Sequence, residues 1–327
     1  MPDYPTDACP ICGQGLPAPT IVAPDRLHGT PGLYAVAVCR GCGAGVTVPR
    51  VSDDALAGFY PDDYGPYDER MTAVERLLSR AIRGAQGRSA FRRAPFSALR
   101  DRGAGRGVDI GCGRGDLAAA MAARGWRMAG VEPSQSACEF ASRRGIDARQ
   151  GTLATVALEP GAYDAVVFHH SLEHTTDPVA TLGSAARALS PGGLVLVTVP
   201  NFGGWQARRL RDAWFHLDLP RHRVHFTPAA LGRAFRRAGL DPVELSTSSS
   251  AVGLPASLQY RAFGRCLFPS GFGLRVASGL CALTVPLTRA LDRSAGAGDL
   301  LHAVARRADR SSIARSTSAS KALAGAG

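Results

Sequence analysis

The stretch "VDIGCGRGD", Val108 to Asp116, decides the fold class of this chain. An apolar run that contains one acid leads into glycines at positions 111, 113 and 115, and the residues that follow have helical spacing. Glycine lets the backbone turn sharply and lets a ligand approach bare peptide groups. The stretch therefore predicts a strand, a glycine-rich turn and a helix, the first unit of an α/β fold with a ligand at the turn.

The same alternation of short apolar runs and helical segments continues along the chain, which is typical of a parallel sheet with crossover helices. The predicted strands are "GVDIG", "RMAGVE", a short strand near Ile146, "YDAVVF", "GLVLVTV", "PVELST" and "LLHAVARR". The predicted helices cover residues 114–124, 134–143, 178–189 and 227–238. Asp177 and Thr227 stand at N-cap positions, and each is followed by a proline.

The acids near the glycines indicate which ligand the turn would accept. A dinucleotide fingerprint would place glycine at position 116, where Asp116 would face the pyrophosphate unfavourably. Asp109, just before the glycines, can instead hold the cationic amino group of an amino-acid moiety. Glu132 lies 21 residues after Gly111 and can accept both hydroxyls of a ribose. A nucleoside that carries an amino acid is S-adenosylmethionine, which is the predicted cofactor.

With these motifs the sequence resembles the class I S-adenosylmethionine-dependent methyltransferases, over roughly residues 52–308. It looks most like the branch that acts on small molecules, including quinone precursors and sugars, some members of which carry an N-terminal zinc-binding segment. The motifs that carry the resemblance are "VDIGCGRGD", "GVEPS", "YDAVVFHHSLEHTTDP", "LSPGGLVLVTVPN" and "LPRHRVHFTPAALGRAFRRAGL".

The resemblance implies an α/β fold with a Rossmann-like, seven-stranded methyltransferase sheet whose last strand is antiparallel. It also implies that the segment Gly151 to Leu153 lies beside the adenine. Many relatives carry an acid after that glycine, where this chain has Thr152. The residues that the resemblance assigns to the cofactor are Asp109, Gly111, Gly113, Glu132, Thr152, Leu153 and His169.

Near the N-terminus, two matched cysteine pairs indicate a structural zinc site. Cys9 and Cys12 lie in "CPICG", and Cys39 and Cys42 lie in "CRGCG", with 26 residues between the pairs. Two tight turns that each present two thiolates can close a tetrahedron around Zn²⁺, and the glycine after each pair eases the turn. The spacing therefore predicts a zinc ribbon.

The acceptor side needs a base, because an oxygen or nitrogen acceptor must lose a proton when it receives the methyl group. "PRHRVHF" supplies two histidines, His222 and His225, on the loop after the fifth predicted strand. We favour His222 as the base, with a purely structural role in the loop as the alternative.

The stretch "HHSLEHTTDP", residues 169–178, follows the fourth predicted strand and supplies two further catalytic candidates, Glu173 and His174. Some relatives bind a divalent ion through an ExxEH motif here, but His170 replaces the first acid, which would shift preference from magnesium towards borderline metals such as zinc. We favour a second interpretation without metal. In it, Glu173 and His174 form a hydrogen-bonded pair that orders the loop, while His169 and His170 line the pocket.

The predicted organisation is a zinc ribbon over 1–50, a linker with N-terminal helices over 51–105, and a methyltransferase domain over 106–308 followed by a disordered tail over 309–327. The helices of the linker segment are predicted near 69–83 and 89–101. An apolar, arginine-flanked insert, 251–294, has a longest uncharged run of 13 residues, Val276 to Thr288. Spanning a bilayer takes about 20 residues, so the insert suits a helix on a membrane surface, a lid or a packed hairpin. Without a basic and apolar leader, we expect a cytoplasmic protein, with peripheral membrane contact as an alternative.

These features predict a methyltransferase that uses S-adenosylmethionine on a small or lipid-linked acceptor, more readily on oxygen than on carbon. The formal charge of +11 leaves an RNA methyltransferase as a rival, although the ribbon stretch "TIVAPDRLHGTPGLYAVAV" is mostly neutral. A noncatalytic cofactor-binding module that binds a partner protein is the second rival.

Overall fold

A computed structural model describes residues 8–59, 91, 94–250, 252–265, 285–293 and 298–308. The predicted helix near 69–83, residues 266–284 of the apolar insert and the tail from 309 lie outside the described residues. Of the stretch near 89–101, the structure shows a 3₁₀ turn at Phe96–Leu99. The strands, in chain order, are β1 (Ile21–Ala23), β2 (Tyr34–Val38), β3 (Gly45–Val48), β4 (Arg106–Ile110), β5 (Arg127–Glu132), β6 (Asp147–Gln150), β7 (Tyr163–His169), β8 (Leu189–Pro200), β9 (Val224–His225), β10 (Leu240–Ser248) and β11 (Leu300–Arg307). The helices are α1 (Asp53–Ala57), α2 (Asp116–Ala122), α3 (Gln135–Arg143), α4 (Pro178–Ala188), α5 (Trp205–Leu210), α6 (Pro228–Arg237) and α7 (Gly253–Phe263).

The central sheet has seven strands in the order β10-β11-β8-β7-β4-β5-β6. Strands β4 to β8 pair in parallel, and β11 lies antiparallel between β8 and β10. The predicted fold class is confirmed, including the antiparallel last strand. In the middle of the sheet, residues 165–168 of β7 and 193–200 of β8 are all buried, because helices cover both faces. This burial explains why these strands read as continuous apolar runs.

The helix caps form largely as the sequence predicts. Asp177 Oδ1 accepts from Ala180 N at 2.9 Å to cap α4, and Thr227 Oγ1 accepts from Ala230 N at 3.1 Å to cap α6. The helix predicted from residue 114 begins two residues later, at Asp116. The reason is Gly115, which adopts φ +73° as the N-cap and so delays the helical conformation.

The N-terminal segment forms a second, antiparallel sheet in the order β1-β2-β3-β9. Its fourth strand, β9, comes from the loop that carries the histidines of "PRHRVHF", and it pairs with β3 through Gly45 opposite His225. Cys9, Ile11 and Val46 belong to the same hydrophobic cluster as the core of the central sheet. The ribbon is therefore packed onto the larger sheet and completed by one of that domain's own strands.

Candidate functional site

The predicted cofactor residues lie together at the carboxyl edge of the central sheet, where ligands bind in open α/β folds. At the end of β4, Asp109 is 2% exposed, and its Oδ1 has no hydrogen-bond partner among the described residues. Gly111 has φ +73°, and a Cβ built on it would lie 2.6 Å from the Cβ of Ser171. Only glycine fits this position, and the turn leaves bare backbone beside a buried carboxylate.

Glu132, at the end of β5, closes the same turn. Its Oε2 accepts from Gly113 N and its Oε1 from Ser134 N, both at 2.9 Å. Burial raises the pKa of Glu132, and burial together with the neighbouring Glu132 raises the pKa of Asp109 to about 7. Two buried carboxylates side by side favour a ligand that brings a cation to one and hydroxyl donors to the other. The amino group and ribose of S-adenosylmethionine meet that requirement, so the residues present fit this cofactor.

The remaining cofactor candidates flank this turn. Gly151 N donates to Glu132 O at 3.0 Å, which brings the tight turn at Thr152 and Leu153 to the end of β5. Leu153 packs against the core. His169 is exposed at the end of β7, with its ring centroid 6.2 Å from that of Phe96. All seven predicted cofactor residues thus lie on the ends of β4 to β7 or on the turns that follow them.

The acceptor-side candidates meet beyond β7. Leu172–His174 form a 3₁₀ turn, and Glu173 is 1% exposed. The predicted hydrogen-bonded pair of Glu173 and His174 does not form, because neither carboxylate oxygen of Glu173 has a hydrogen-bond partner among the described residues. His170 Nδ1 lies 3.3 Å from Glu173 Oε1, without hydrogen-bond alignment. His174 Nδ1 instead lies 3.1 Å from the carbonyl oxygen of Arg221, to which it can only donate.

His222 completes the cluster from the opposite loop. Its Nδ1 lies 2.8 Å from the carbonyl oxygen of His216, so Nδ1 carries the proton and Nε2 has a free lone pair. Burial, with His174 as the next cause, lowers the pKa of His222 well below its ordinary value, so the ring is neutral at pH 7. His222 Nε2 lies 4.0 Å from Glu173 Oε1, and the His174 and His222 ring centroids are 4.7 Å apart. One carboxylate and two imidazoles therefore converge, although His222 lies 48 residues after His174 in the chain.

His225, which sequence reasoning treated beside His222, has a different environment. Its Nε2 lies 3.0 Å from Thr47 Oγ1, and that hydroxyl donates to the carbonyl oxygen of His222 at 2.6 Å. His225 Nε2 must therefore be the donor to the Thr47 oxygen, and the ring has a structural role. Asp218, whose Oδ2 lies 3.7 Å from His222 Nε2, was missed in the sequence, since a lone aspartate in a loop has no distinguishing pattern.

The same cluster suits a divalent ion. Ligand atoms of Glu173, His174 and His222 all lie within 4.8 Å of one another. Both histidines turn Nδ1 to a backbone carbonyl, the arrangement that orients imidazole Nε2 towards a metal. Among the described residues, neither oxygen of the Glu173 carboxylate makes an aligned hydrogen bond, and His170 Nδ1 lies 3.3 Å from its Oε1. The donors present fit the ion that the ExxEH resemblance implies, with His222 as a ligand outside that motif.

The four ribbon cysteines are brought together as predicted. Cys9 Sγ lies 3.6 Å from Cys42 Sγ, and Cys12 Sγ lies 3.4 Å from Cys39 Sγ. All four sulfurs lie within 4.8 Å of one another, which is compatible with a tetrahedral structural zinc. The glycines after the pairs, at positions 13 and 43, have φ +79° and +74°, as expected for tight turns.

Comparison with known proteins identifies the class. Residues 79–245 match the family described as "Methyltransferase domain". The chain belongs to this family, whose members use S-adenosylmethionine, and the position of the glycine turn agrees with that assignment.

The individual proteins that this chain resembles share about a third of the aligned residues or fewer with it. The chain is 32% identical to the ubiquinone biosynthesis O-methyltransferase of Cupriavidus pinatubonensis over 42% of this chain and 61% of that protein. The corresponding protein of Aromatoleum aromaticum is also 32% identical, over 44% of this chain and 69% of its own length. Among solved structures, the geranyl diphosphate C-methyltransferase of Streptomyces coelicolor A3(2) has a TM-score of 0.46 at 18% identity, covering 74% of this chain and 86% of that one. The chain thus spans about three fifths of the first of these relatives.

Proposed function

We propose that the protein is an O-methyltransferase that moves the methyl group of S-adenosylmethionine to a hydroxyl of a small or lipid-linked acceptor. The observation that carries this proposal is the convergence of Glu173, His174 and His222, in which Glu173 and His174 follow Ser171, the residue that lies against Gly111 of the cofactor turn. The similarity to ubiquinone biosynthesis O-methyltransferases supports the same chemistry.

The chain's own groups supply what an O-methylation requires. Methyl transfer from a sulfonium is an in-line displacement, in which the acceptor oxygen forms the new bond to the methyl carbon and the carbon–sulfur bond breaks. The acceptor hydroxyl must also lose its proton, and His222 Nε2 can take it, because the ring is neutral and its Nδ1 proton is held by the His216 carbonyl. Asp109 and Glu132 hold the two polar ends of the cofactor, so positioning supplies much of the remaining rate.

A divalent ion would be held by Glu173, His174 and His222, and when bound it would lower the pKa of the acceptor hydroxyl. In that case the Nε2 atoms of both histidines would be ligands, and His222 would not serve as the base. The two forms of the site share the same residues and differ in the response to chelator.

The described part of the apolar insert has a surface suited to contact with a membrane that holds a lipid-linked acceptor. Leu258 and Phe263 on α7 are 52% and 60% exposed, and Arg261 and Arg265 beside them are also exposed. Apolar side chains flanked by cations suit an anionic lipid surface. Among the residues that the structure describes, every helix is too short or too polar to cross a bilayer.

The membrane contact is tested by flotation with phosphatidylglycerol vesicles at low salt. The double variant Leu258→Ser/Phe263→Ser should stay at the bottom of the gradient, whereas the wild type floats. Val243→Ser is the matched control, because Val243 is equally exposed, at 59%, but lies on β10. Equal flotation of both variants would refute the role of α7.

The reaction is tested by incubating the protein with methyl-labelled S-adenosylmethionine and an extract of its source organism, then identifying the labelled product by mass spectrometry. We expect an O-methylated small molecule or lipid, and none with His222→Ala. Label in RNA would favour the RNA methyltransferase, and retained cofactor binding without any product would favour the noncatalytic module. A product methylated on carbon would contradict the proposed chemistry.

A further inference from the structure

Hydrogen bonds connect the zinc ribbon to the acceptor-side cluster, and no local sequence motif predicts them. We propose that the ribbon is a positioning element for Glu173, His174 and His222, with Thr47 and Asp25 as the residues that transmit its structure. The inference rests on the proposed function of that cluster and adds a role for the N-terminal segment.

Thr47 makes the most direct connection. Its hydroxyl donates to the carbonyl oxygen of His222 at 2.6 Å, and its backbone N–H donates to the carbonyl oxygen of Arg223 at 3.0 Å. Arg223 N in turn donates to Glu173 O at 2.9 Å. A single ribbon residue thus holds the backbone of His222 on one side and, through Arg223, the backbone of Glu173 on the other.

Asp25 makes the second connection, through a buried ion pair. Asp25 is 3% exposed and Arg221 1%, and Arg221 donates Nη1 and Nη2 to the two Asp25 oxygens at 2.8 and 2.7 Å. Burial alone would raise the pKa of Asp25, but Arg221 outweighs it and lowers that pKa to about 2. The backbone carbonyl of Arg221 is the group that accepts from His174 Nδ1. The ribbon aspartate therefore fixes the residue that selects the His174 tautomer.

The Thr47 connection depends on the cysteine site through a short stretch of backbone. The turn that joins β2 to β3 is the second cysteine pair itself, with Cys39 N donating to Ala44 O and Gly43 N to Cys39 O, both at 2.8 Å. Strand β3, which contains Thr47, begins three residues after Cys42. A metal that ties this turn to the first pair therefore fixes the strand on which the His222 loop is built.

The ribbon therefore holds each of the three cluster residues, either directly or through one intermediate residue. His222 is held through its own carbonyl, His174 through the carbonyl of Arg221, and Glu173 through Arg223 N. Small displacements of such groups have large effects on rate, while the cofactor turn at the end of β4 makes none of these bonds. The expected signature is a loss of turnover without a loss of cofactor affinity.

The test compares Thr47→Val, which removes the hydroxyl at nearly constant volume, with Thr47→Ser, which keeps it. Thr20→Val is the matched control, because Thr20 is an exposed ribbon threonine. For Thr47→Val we expect kcat to fall about tenfold or more, since misplaced groups cost rate steeply. Zinc content and calorimetric affinity for S-adenosylmethionine should stay at wild-type values. Thr47→Ser should recover most of kcat, and Asp25→Asn should reproduce the Thr47→Val pattern if it folds.

A second readout needs no acceptor. Nitrogen-15 spectra of the histidine rings report the protonated nitrogen and the environment of His174 and His222. Thr47→Val should shift or broaden the His222 ring signals, and Thr20→Val should leave them unchanged.

If no acceptor is ever methylated but these spectral changes occur, the positioning role stands and the proposed function fails. A Thr47→Val protein with wild-type kcat and unchanged ring signals would overturn the proposal. So would parallel losses of zinc, cofactor affinity and turnover, because they would indicate general damage to the fold.

Discussion

Replacing Asp109 with asparagine should stabilise the protein without cofactor and weaken cofactor binding. Burial, and then Glu132, raises the pKa of Asp109 from its ordinary 3.8 to about 7. At about 1.4 kcal/mol per pKa unit, a carboxylate ionised in this position costs about 4 kcal/mol of the free energy of unfolding at pH 8. Asparagine has nearly the same shape and no charge, so the variant avoids this cost.

The sign of the pH dependence follows from the raised pKa. A carboxyl group whose pKa is higher in the folded state gives its full contribution to stability below its unfolded pKa. It loses that contribution as the pH rises through the folded pKa. The stability advantage of Asp109→Asn over the wild type should therefore grow between pH 5.5 and pH 8. The expected growth is about 2 kcal/mol, because about 1.5 pKa units separate pH 5.5 from the folded pKa.

Urea unfolding of the cofactor-free proteins at pH 5.5, 7 and 8 measures this difference, with Asp147→Asn as the control. Asp147 is exposed on the edge strand β6, two strands away from β4. Calorimetry should show cofactor affinity reduced about tenfold in Asp109→Asn, since a charge-assisted hydrogen bond contributes about 1.5 to 3 kcal/mol. An advantage that does not change with pH, or unchanged cofactor affinity, would refute the reasoning.

Three further results are expected. Protein purified under reducing, chelator-free conditions should carry one ribbon zinc per chain by elemental analysis, and Cys39→Ser should lower thermal stability while largely sparing cofactor affinity; absence of zinc would contradict the ribbon. Glu132→Ala should weaken S-adenosylmethionine binding about tenfold or more in calorimetry, because a charged acceptor for the ribose hydroxyls is lost; unchanged affinity would remove this residue from the site. Added Mn²⁺ should broaden the ring signals of His174 and His222 in the zinc-loaded protein, and His174→Ala should suppress this; ring signals unaffected by Mn²⁺ would leave the metal-free form of the site.

The fold could be predicted in some detail from local patterns. The glycine turn after "VDI", the apolar runs of β7 and β8, and the capped starts of α4 and α6 each depend on a few neighbouring residues. Backbone geometry and burial act on them in the same way in any α/β sheet. The start of α2 was placed too early because the left-handed Gly115 belongs to the turn.

The acceptor-side cluster could be predicted only as separate candidates. The stretches "HHSLEHTTDP" and "PRHRVHF" do not by themselves predict that Glu173, His174 and His222 come together. The predicted hydrogen bond between Glu173 and His174 was wrong. The Thr47 hydroxyl, 175 residues before His222, makes the Nε2 atom of His225 a hydrogen-bond donor, whereas the Nε2 atom of His222 stays unprotonated.

The sequence alone determined the class of fold, the cofactor turn and the cysteine site, since each is built from residues close together in the chain whose chemistry is local. Only the tertiary structure decided the tautomers of His174 and His222, the imidazoles that surround the Glu173 carboxylate, and the attachment of the ribbon to the acceptor loop. Those properties depend on carbonyl and hydroxyl groups that distant segments supply. The tautomer of a buried histidine depends on which backbone atom lies within hydrogen-bond distance of its ring after folding. Residue type and spacing do not determine that contact.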